Sequence, residues 1–229
     1  MARWKSGVPS RAELRDAKRD AVLREASMSF NRRGFHGTSL DDVAQRLGVT
    51  KAALYYYFDN KQAVLKACFD LAMEEAFANL ERAKRDGSTG REKLRIVLTG
   101  FLEYIIDDLS VSVTMMEEDA LSADDMVLVK AERDRFEHEL RSLVSEGIKD
   151  GSIVPCDPKL AVLTLLGALN WVPRWFKADG QWSTHELSVL MSDLLERMVS
   201  SQPAKALETG DGRAATRPPA RAKPRAVKK

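Results

Sequence analysis

The segment from Thr38 to Lys61, TSLDDVAQRLGVTKAALYYYFDNK, contains two short helical patterns joined by a tight turn. Apolar residues in its first half recur three and four positions apart, as on one face of a helix: Leu40, Val43, Ala44 and Leu47. Gly48 ends this helix, because glycine adopts left-handed dihedrals without a steric cost. Thr50 then begins the second helix by accepting a hydrogen bond from a free amide.

The second helix has an inward and an outward face. Helical spacing places three residues on the inward face: Ala53, Leu54 and Phe58. The outward face then consists of Lys51, Ala52, Tyr55 and Tyr56. Two helices meeting at a tight turn are typical of a helix-turn-helix, here over about residues 39–58, whose second helix lies in the major groove of DNA. The pattern therefore predicts DNA binding. A helical hairpin packed inside a protein of another kind is the alternative.

The outward face supplies candidate contacts to DNA. Lys51 and Thr50 lie at the start of the second helix, where the lysine ammonium reaches a phosphate or a guanine edge. Ala52 is placed to touch a thymine methyl group, and Tyr55 and Tyr56 to donate hydrogen bonds to phosphate oxygens. Tyr57 is left between two roles, because a tyrosine on a helix more often packs than contacts a partner.

Three further candidates lie outside the second helix. Thr38 and Ser39 open the first helix of the pair, so we expect a hydroxyl and free amides to face a phosphate there. Lys61, in the first turn of the next helix, is expected to add a contact to the DNA backbone. The complete candidate set is Thr38, Ser39, Thr50, Lys51, Ala52, Tyr55, Tyr56 and Lys61.

Several separate elements of this region occur in one register. They are Gly-aromatic-x-Gly-Thr-Ser-Leu at 34–40, Asp-Val-Ala at 42–44, Gly-Val-Thr-Lys at 48–51, and Leu-Tyr-Tyr-Tyr-Phe at 54–58 before Asn-Lys. From about Val22 to Leu65 the chain resembles the tetracycline-repressor (TetR/AcrR) family. The resemblance implies DNA contacts at Thr38, Lys51, Ala52, Tyr55, Tyr56 and Lys61. Ala52 stands where the family usually has glycine, so the closest backbone approach to DNA is expected to differ.

The net charge of +2 conceals an uneven distribution. Residues 1–61 contain 12 Lys/Arg against 7 Asp/Glu, residues 62–200 contain 16 against 25, and residues 201–229 contain 8 against 2. A basic N-terminal part on an acidic body suits a protein whose N-terminal part contacts phosphates.

The remaining residue types exclude several classes of protein. Cys68 and Cys156 fit no metal spacing, and two cysteines in 229 residues do not indicate a disulfide scaffold. No Ser-His-Asp, Cys-His or glycine-rich phosphate-binding pattern is visible, and the acidic run at 117–119 reads as a solvated face. We therefore expect no enzyme, no metal and no cofactor. With no apolar signal segment and no apolar run long enough to span a bilayer, a cytoplasmic protein is expected.

Helical patterns fill the rest of the chain, and no run alternates as a strand does. A helix from about Ser10 to Arg33 precedes the helix-turn-helix, and Asn60 begins a long helix that reaches about Arg85. Later helices are expected at 91–109, 111–120, 122–146, from Asp157-Pro158 onward, and from Ser183 to about Met198. The sequence thus predicts an all-α chain with a DNA-binding domain at 10–61 and a helical effector-binding and dimerisation domain at 62–200.

Residues 201–229 form a basic tail that contains too few apolar residues to offset the entropy of ordering. We expect it to be disordered. It is either a phosphate-binding arm that does not read sequence, or a solubilising tail.

Leu160 to Leu169 is apolar almost all round, and a helix of this kind must be covered on every side. In a chain of this size, a core helix that also meets a second subunit satisfies that requirement. The family resemblance implies the same, since its last two long helices form a four-helix dimer interface. Burial within one chain is the alternative.

Asn170 to Phe176 places two tryptophans, a phenylalanine and an arginine at the end of that apolar helix. The order Gly-x-x-Asn-Trp-x-x-Arg-Trp-aromatic resembles the acyl-CoA-responsive branch of the family, although Pro173 departs from it and is expected to kink or end the helix. Indoles suit an adenine or an acyl channel, and a guanidinium suits a phosphate. The expected ligand-binding set is Phe101, Tyr104, Met115, Asn170, Trp171, Arg174, Trp175 and Phe176. Aromatic packing at a dimer interface is the alternative.

Together these patterns predict an all-α homodimeric repressor that leaves a palindromic DNA operator when a small effector binds, with an acyl-CoA thioester favoured. One alternative is the same repressor released by a free hydrophobic or aromatic ligand. Another is a helical ligand carrier or enzyme that keeps the hairpin only for packing.

Overall fold

A computed structural model of the protein describes residues 10–106 and 120–201. These residues form eight α-helices and no β-strand, with a single isolated bridge between Ile153 and Ser200. The helices are α1 (Arg11–Arg33), α2 (Leu40–Arg46), α3 (Lys51–Tyr55), α4 (Lys61–Asp86), α5 (Gly90–Ile106), α6 (Ala123–Asp150), α7 (Pro158–Trp175) and α8 (Thr184–Val199). The predicted all-α fold is confirmed.

Side-chain caps fix the starts of the N-terminal helices. Ser10 and Glu13 form a reciprocal capping box at α1. Thr50 accepts a hydrogen bond of 3.3 Å from the Ala53 amide at α3, and Asn60 accepts one of 2.8 Å from the Ala63 amide at α4. Each cap satisfies an amide that has no partner within its helix. The predicted starts of α3 and α4 are confirmed.

Helix α4 connects two apolar cores. Its first half, including Val64 and Phe69, is buried against α1, α2 and α3. Its second half, including Leu80, is buried with α5, α6, α7 and α8. The packing of the first core therefore continues well past residue 61, and a single helix runs through both cores.

The start of α5 lies against α6 at a contact between two glycines. A Cβ added at Gly90 would lie 2.1 Å from the Gly147 nitrogen, and one added at Gly147 would lie 2.5 Å from Ile153 Cδ1. Only glycine permits backbones to approach this closely. The predicted end of α6 at residue 146 is therefore too early. Helix α6 runs to Asp150 and ends at Gly151, whose φ is +79°.

The segment after α6 returns to cap α5. Asp150 Oδ2 accepts a hydrogen bond from the Gly90 amide at 2.8 Å, and Ser152 Oγ accepts one from the Arg91 amide at 3.3 Å. Because the loops before α5 and α7 are short, the end of α4, the start of α5, the end of α6 and the start of α7 lie together. We call this region, residues 82–91 and 141–159, the outer end, because the helix-turn-helix lies at the other end of α4.

Helices α7 and α8 bury one side and expose the other. The buried side of α7 consists of Val162, Leu165, Leu169 and Val172. The exposed side, called the α7–α8 face, consists of Leu160, Leu163, Trp171, Leu190, Leu194 and Met198, with Leu160 65% and Leu194 57% exposed. The alternative that α7 is buried entirely within one chain is therefore wrong.

Three predictions lie outside the described residues: the helix at 111–120 apart from its last residue, the ligand-binding role of Met115, and the tail beyond Ser201. Within 10–106 and 120–201, no helix is long and apolar enough to cross a membrane.

Candidate nucleic-acid interface and internal cavity

Helices α2 and α3 are joined by a tight turn centred on Gly48. Gly48 adopts a φ of +66°, and the Val49 amide donates a hydrogen bond of 3.0 Å to the Ala44 carbonyl oxygen. This left-handed turn sets the direction of α3 against α2. Leu54, 1% exposed, anchors α3 in the core shared with α1 and α4.

The outward face of α3 is the one that the spacing predicts. Lys51, Ala52, Tyr55 and Tyr56 are exposed, and Tyr56 is 75% exposed. Tyr57 is half-buried and packs edge-on against Tyr56, with ring centroids 5.0 Å apart. Tyr57 therefore supports the exposed ring of Tyr56 from behind.

Lys51 occupies the first turn of α3 beside a carboxylate. Its Nζ lies 2.7 Å from Asp41 Oδ2 of α2 and 6.0 Å from the centroid of the Tyr55 ring. The hydrogen bond to Asp41 raises the pKa of Lys51, so the ammonium stays charged. A charged donor on an exposed helix face is what contact with phosphates or guanine edges requires.

Thr38 occupies a different place from the one expected. Its side chain is 3% exposed, and its Oγ1 donates to the carbonyl oxygens of Ser29 at 3.0 Å and Gly34 at 2.8 Å. The hydroxyl therefore ties the end of α1 to the start of α2. Ser39 caps α2 by accepting a hydrogen bond from the Asp41 amide at 3.1 Å.

Lys61 also acts within the protein. Its Nζ donates to the carbonyl oxygens of Phe35 at 2.8 Å and Thr38 at 3.0 Å, and it lies 4.2 Å from the centroid of the Phe35 ring. These contacts fix the first turn of α4 to the α1–α2 loop. A displacement of α4 therefore pulls on the helix-turn-helix through Lys61.

A cavity of about 940 Å³, open to solvent on one side, lies between α4, α5, α6 and α7. Ligand-binding cavities commonly have volumes of about 300 to 1,000 Å³. Its apolar and aromatic lining includes Phe69, Phe101, Tyr104, Phe136, Leu163 and Leu166. Phe101 and Phe136 are stacked with ring centroids 6.3 Å apart.

Helical directions give the cavity two chemically different ends. Phe69 and Tyr104 lie toward the helix-turn-helix, where burial raises the pKa of Tyr104 to about 12. Arg82, Arg85 and Lys159 line the cavity at the outer end. Of the four carboxylates that line it among the described residues, two are paired with basic side chains: Glu137 pairs with Arg141, and Glu103 lies 3.0 Å from His185 Nδ1. Among the described residues, the aromatic end contains one cation, Arg133, whose guanidinium carbon lies 5.6 Å from the centroid of the Phe69 ring, whereas the outer end contains Arg82, Arg85, Arg141 and Lys159. The outer end is therefore the more cationic of the two.

The structure brings some of the expected ligand-binding residues to this cavity and leaves others outside its lining. Phe101, Tyr104 and Asn170 line it. Trp171, Arg174, Trp175 and Phe176 do not. On α7 the lining residues Lys159, Leu163, Leu166 and Asn170 are spaced four, three and four positions apart, whereas Trp171 and Trp175 fall on the next stripe of the helix and are exposed.

Sequence reasoning missed the cations at the outer end. Arg82 lies on α4 in a stripe with Ala72, Glu75 and Asn79, all of which line the cavity. This stripe of small and polar residues runs beside the apolar stripe of the same helix, and it is the signal from which Arg82 could have been found. Among the residues that the structure describes, no group of histidines, cysteines and carboxylates is arranged to hold a metal ion.

Two family models match the chain. Residues 22–68 match bacterial regulatory proteins of the tetR family, and residues 87–199 match the tetracyclin repressor-like C-terminal domain. The first covers the helix-turn-helix, and the second covers most of the cavity.

Individual proteins resemble the chain over most of its length. The TetR family transcriptional regulator PfmR from Thermus thermophilus is 32% identical with a TM-score of 0.68, over 77% of this chain and 97% of PfmR. The HTH-type transcriptional regulator RutR of Escherichia coli (strain K12) is 30% identical over 67% of this chain and 72% of RutR. AibR, in a crystal structure with isovaleryl coenzyme A and operator DNA, has the same fold, with a TM-score of 0.68 and 24% identity over 80% of this chain and 98% of AibR. Since its sequence and its fold both match along these lengths, the chain belongs to the TetR family of bacterial transcriptional regulators.

Proposed function

We propose that the protein is a dimeric cytoplasmic repressor that leaves its operator when an acyl-CoA thioester fills the cavity. The observation that carries the effector class is the division of the cavity into an aromatic part, with the single cation Arg133 among the described residues, and an outer end richer in cations. An acyl-CoA thioester has the same division, because an apolar acyl chain is joined to a phosphorylated nucleotide. Arginine pairs with phosphate oxygens through two parallel hydrogen bonds.

Asn170 supports a thioester over a free acid. Its Oδ1 is buried in the cavity lining and has no hydrogen-bond partner. A buried acceptor of this kind is stabilised by a ligand that donates a hydrogen bond. The amide groups of the pantetheine arm supply such donors, whereas an ionised free acid has none. The binding of isovaleryl coenzyme A by AibR is a precedent for such a ligand within this fold.

The α7–α8 face supports a dimer. It is apolar and exposed over both helices, with Trp171 59% and Met198 56% exposed. A two-fold dimer joined there carries two copies of α3, which then meet two half-sites of a palindromic operator.

Helix α4 supplies the connection between effector and DNA. It lines the cavity from Phe69 to Arg85, and its first turn is fixed to the α1–α2 loop by Lys61. We infer that the effector favours a position of α4 that changes the separation of the two α3 helices, so that they no longer match successive grooves.

The test begins with the promoter fragment of the protein's own gene in a gel-shift assay. Acyl-CoA thioesters of several chain lengths, the matching free acids and aromatic drugs are then added, and their effects on melting temperature are measured in parallel. We expect the thioesters to raise the melting temperature and release the DNA. If the free acids release it equally well, the effector class is wrong, and if no binding occurs without effector, the repressor assignment is wrong.

Substitutions distinguish the two candidate sets of cations. The double substitution Arg82→Gln and Lys159→Gln is expected to raise the thioester concentration needed for release about tenfold or more. The loss of a charged hydrogen bond costs about 1.5–3 kcal/mol, and about 1.4 kcal/mol corresponds to a tenfold change in affinity. Arg174→Gln is the comparison, because Arg174 lies outside the cavity lining. If only Arg174→Gln raises the thioester concentration needed for release, the phosphate site lies in the Asn170–Phe176 segment.

A further inference from the structure

The first two turns of α1 separate positive and negative side chains onto opposite sides. Since an α-helix turns by about 100° per residue, Arg11, Leu14, Arg15 and Lys18 share one stripe. Glu13, Asp16 and Asp20 share the stripe roughly opposite to it. Every residue from Arg11 to Asp20 is exposed, so this separation does not serve packing of the core.

The positive stripe borders a groove that reaches the DNA-reading helix. The groove has a volume of about 460 Å³ and is lined by Arg11, Ala12, Leu14, Arg15, Lys18, Tyr56 and Tyr57. Tyr56, the residue that follows α3, therefore belongs both to the outward face of α3 and to this groove. A surface that approaches DNA through α3 brings the groove beside the adjoining backbone.

The charges of the groove select its partner. Its lining contains three cations and no carboxylate, and Arg15 forms a 3.4 Å pair with its exposed neighbour Asp16 outside the lining. An exposed pair of this kind is weak and screened by salt. The residues before Ser10 include Arg3 and Lys5, so that segment repeats the charge of the groove and does not complement it.

We propose that this groove binds the phosphate backbone of DNA next to the groove that α3 reads. Arg11, Arg15 and Lys18 pair with successive phosphates, and the Tyr56 hydroxyl donates to a phosphate at the border between the two surfaces. Phosphate contacts position a protein on DNA without reading sequence. The groove therefore strengthens binding to operator and random duplex by a similar factor, while the choice of sequence rests with α3.

The test is the salt dependence of binding by the full-length protein. Arg11→Gln, Arg15→Gln and Lys18→Gln are combined and compared with a control of equal charge, Lys130→Gln, Lys149→Gln and Lys177→Gln, all exposed residues of the C-terminal helices and loops. The affinity for a random-sequence duplex and for the promoter fragment of its own gene is measured over a range of salt concentrations. Each lost phosphate contact reduces the slope of log K against log salt by about 0.9, so about 2.7 per subunit is expected for three.

The groove variant should lose this slope on both duplexes, with the ratio of operator to random affinity preserved. The control should keep the slope of the unmodified protein. A variant that keeps the charges, with Arg11→Lys and Arg15→Lys and with Lys18 unchanged, should retain most of the salt slope that the groove variant loses. Equal slopes for the groove and control variants would overturn the proposal, as would a loss confined to the operator, which would place these residues in sequence reading. If the groove variant keeps the salt slope of the unmodified protein but becomes easier to cleave with a protease near its N-terminus, the groove binds residues 1–9 instead of DNA.

Discussion

Lys51 begins α3 with its ammonium 2.7 Å from Asp41 and its stem beside the Tyr55 ring. Lys51→Ala is expected to weaken operator binding by about 1–3 kcal/mol if Lys51 contacts a base, and by less if it contacts a phosphate. Fluorescence anisotropy with operator and random duplexes measures both. Lys149→Ala, which removes an exposed lysine at the outer end, serves as the control. Equal affinities for the two variants at physiological salt would exclude α3 from the major groove.

Thr38 and Lys61 both hold the helix-turn-helix together through contacts within the protein. Both donate their hydrogen bonds to backbone carbonyl oxygens of the α1–α2 region. Their contribution to DNA binding, on this geometry, is to hold α2 and α3 in place.

Thr38→Val tests that role. The isosteric change removes a buried hydroxyl, and we expect the free energy of unfolding to fall by about 0.5–1.5 kcal/mol. The salt slope of DNA binding should not change, because no phosphate contact is lost. Denaturant titration and binding at several salt concentrations measure the two quantities. If the free energy of unfolding is unchanged and the salt slope of DNA binding falls by about one, the Thr38 hydroxyl contacts a phosphate, as expected from the sequence.

At the scale of the helices, α5 has a side-chain cap of its own and a second one from the end of α6. Thr89 Oγ1 accepts a hydrogen bond from the Glu92 amide at 3.2 Å, and Asp150 Oδ2 accepts one from the Gly90 amide at 2.8 Å. The hydrogen bonds from the Ser152 side chain and from the Gly90 amide lower the pKa of Asp150 from its ordinary value of 3.8. The glycine pair at 90 and 147 brings the two helix ends close enough for this contact.

Asp150→Ala is expected to destabilise the protein near neutral pH by about 1 kcal/mol, the typical loss for a helix cap. A lowered carboxyl pKa means that the folded state binds fewer protons than the unfolded state. The stabilisation by Asp150 is therefore complete above pH 3.8 and is lost as the pH falls through its lowered pKa. Denaturation at a series of pH values should show the difference between wild type and variant narrowing at the acid end. Asp179→Ala, in an exposed loop, is the control, and a difference that stays constant down to the lowest pH would contradict the cap.

For the whole molecule, the exposed apolar surface of α7 and α8 is the surface through which we propose that a second copy binds. Leu194→Arg places a charge in the middle of the α7–α8 face and should convert the dimer to a monomer, because an uncompensated charge is costly to bury. Val127→Arg, at a position 66% exposed on α6, is the matched control and should remain dimeric. Light scattering after size-exclusion chromatography gives the mass, and anisotropy gives the expected loss of operator affinity. A dimeric Leu194→Arg variant with normal DNA binding would place the interface elsewhere.

The sequence alone determined the helices, the turn at Gly48 and the outward face of α3. These features depend on contacts between residues a few positions apart, such as the Thr50 cap and the four-residue spacing of Leu54 and Phe58. The same local information identified the family, because the residues of a helix-turn-helix are contiguous in the chain.

Only the tertiary structure decided which side chains meet. Asn170 and Trp171 are adjacent in sequence, yet one lines the cavity and the other faces outward, because successive residues on a helix point in different directions. Arg82 and Lys159 reach the same cavity end although they lie on different helices, far apart in the chain. Gly147 continues a helix instead of ending it, since its neighbour in space is Gly90 on another helix. Contacts of this kind depend on how helices pack, and no spacing within one helix encodes them.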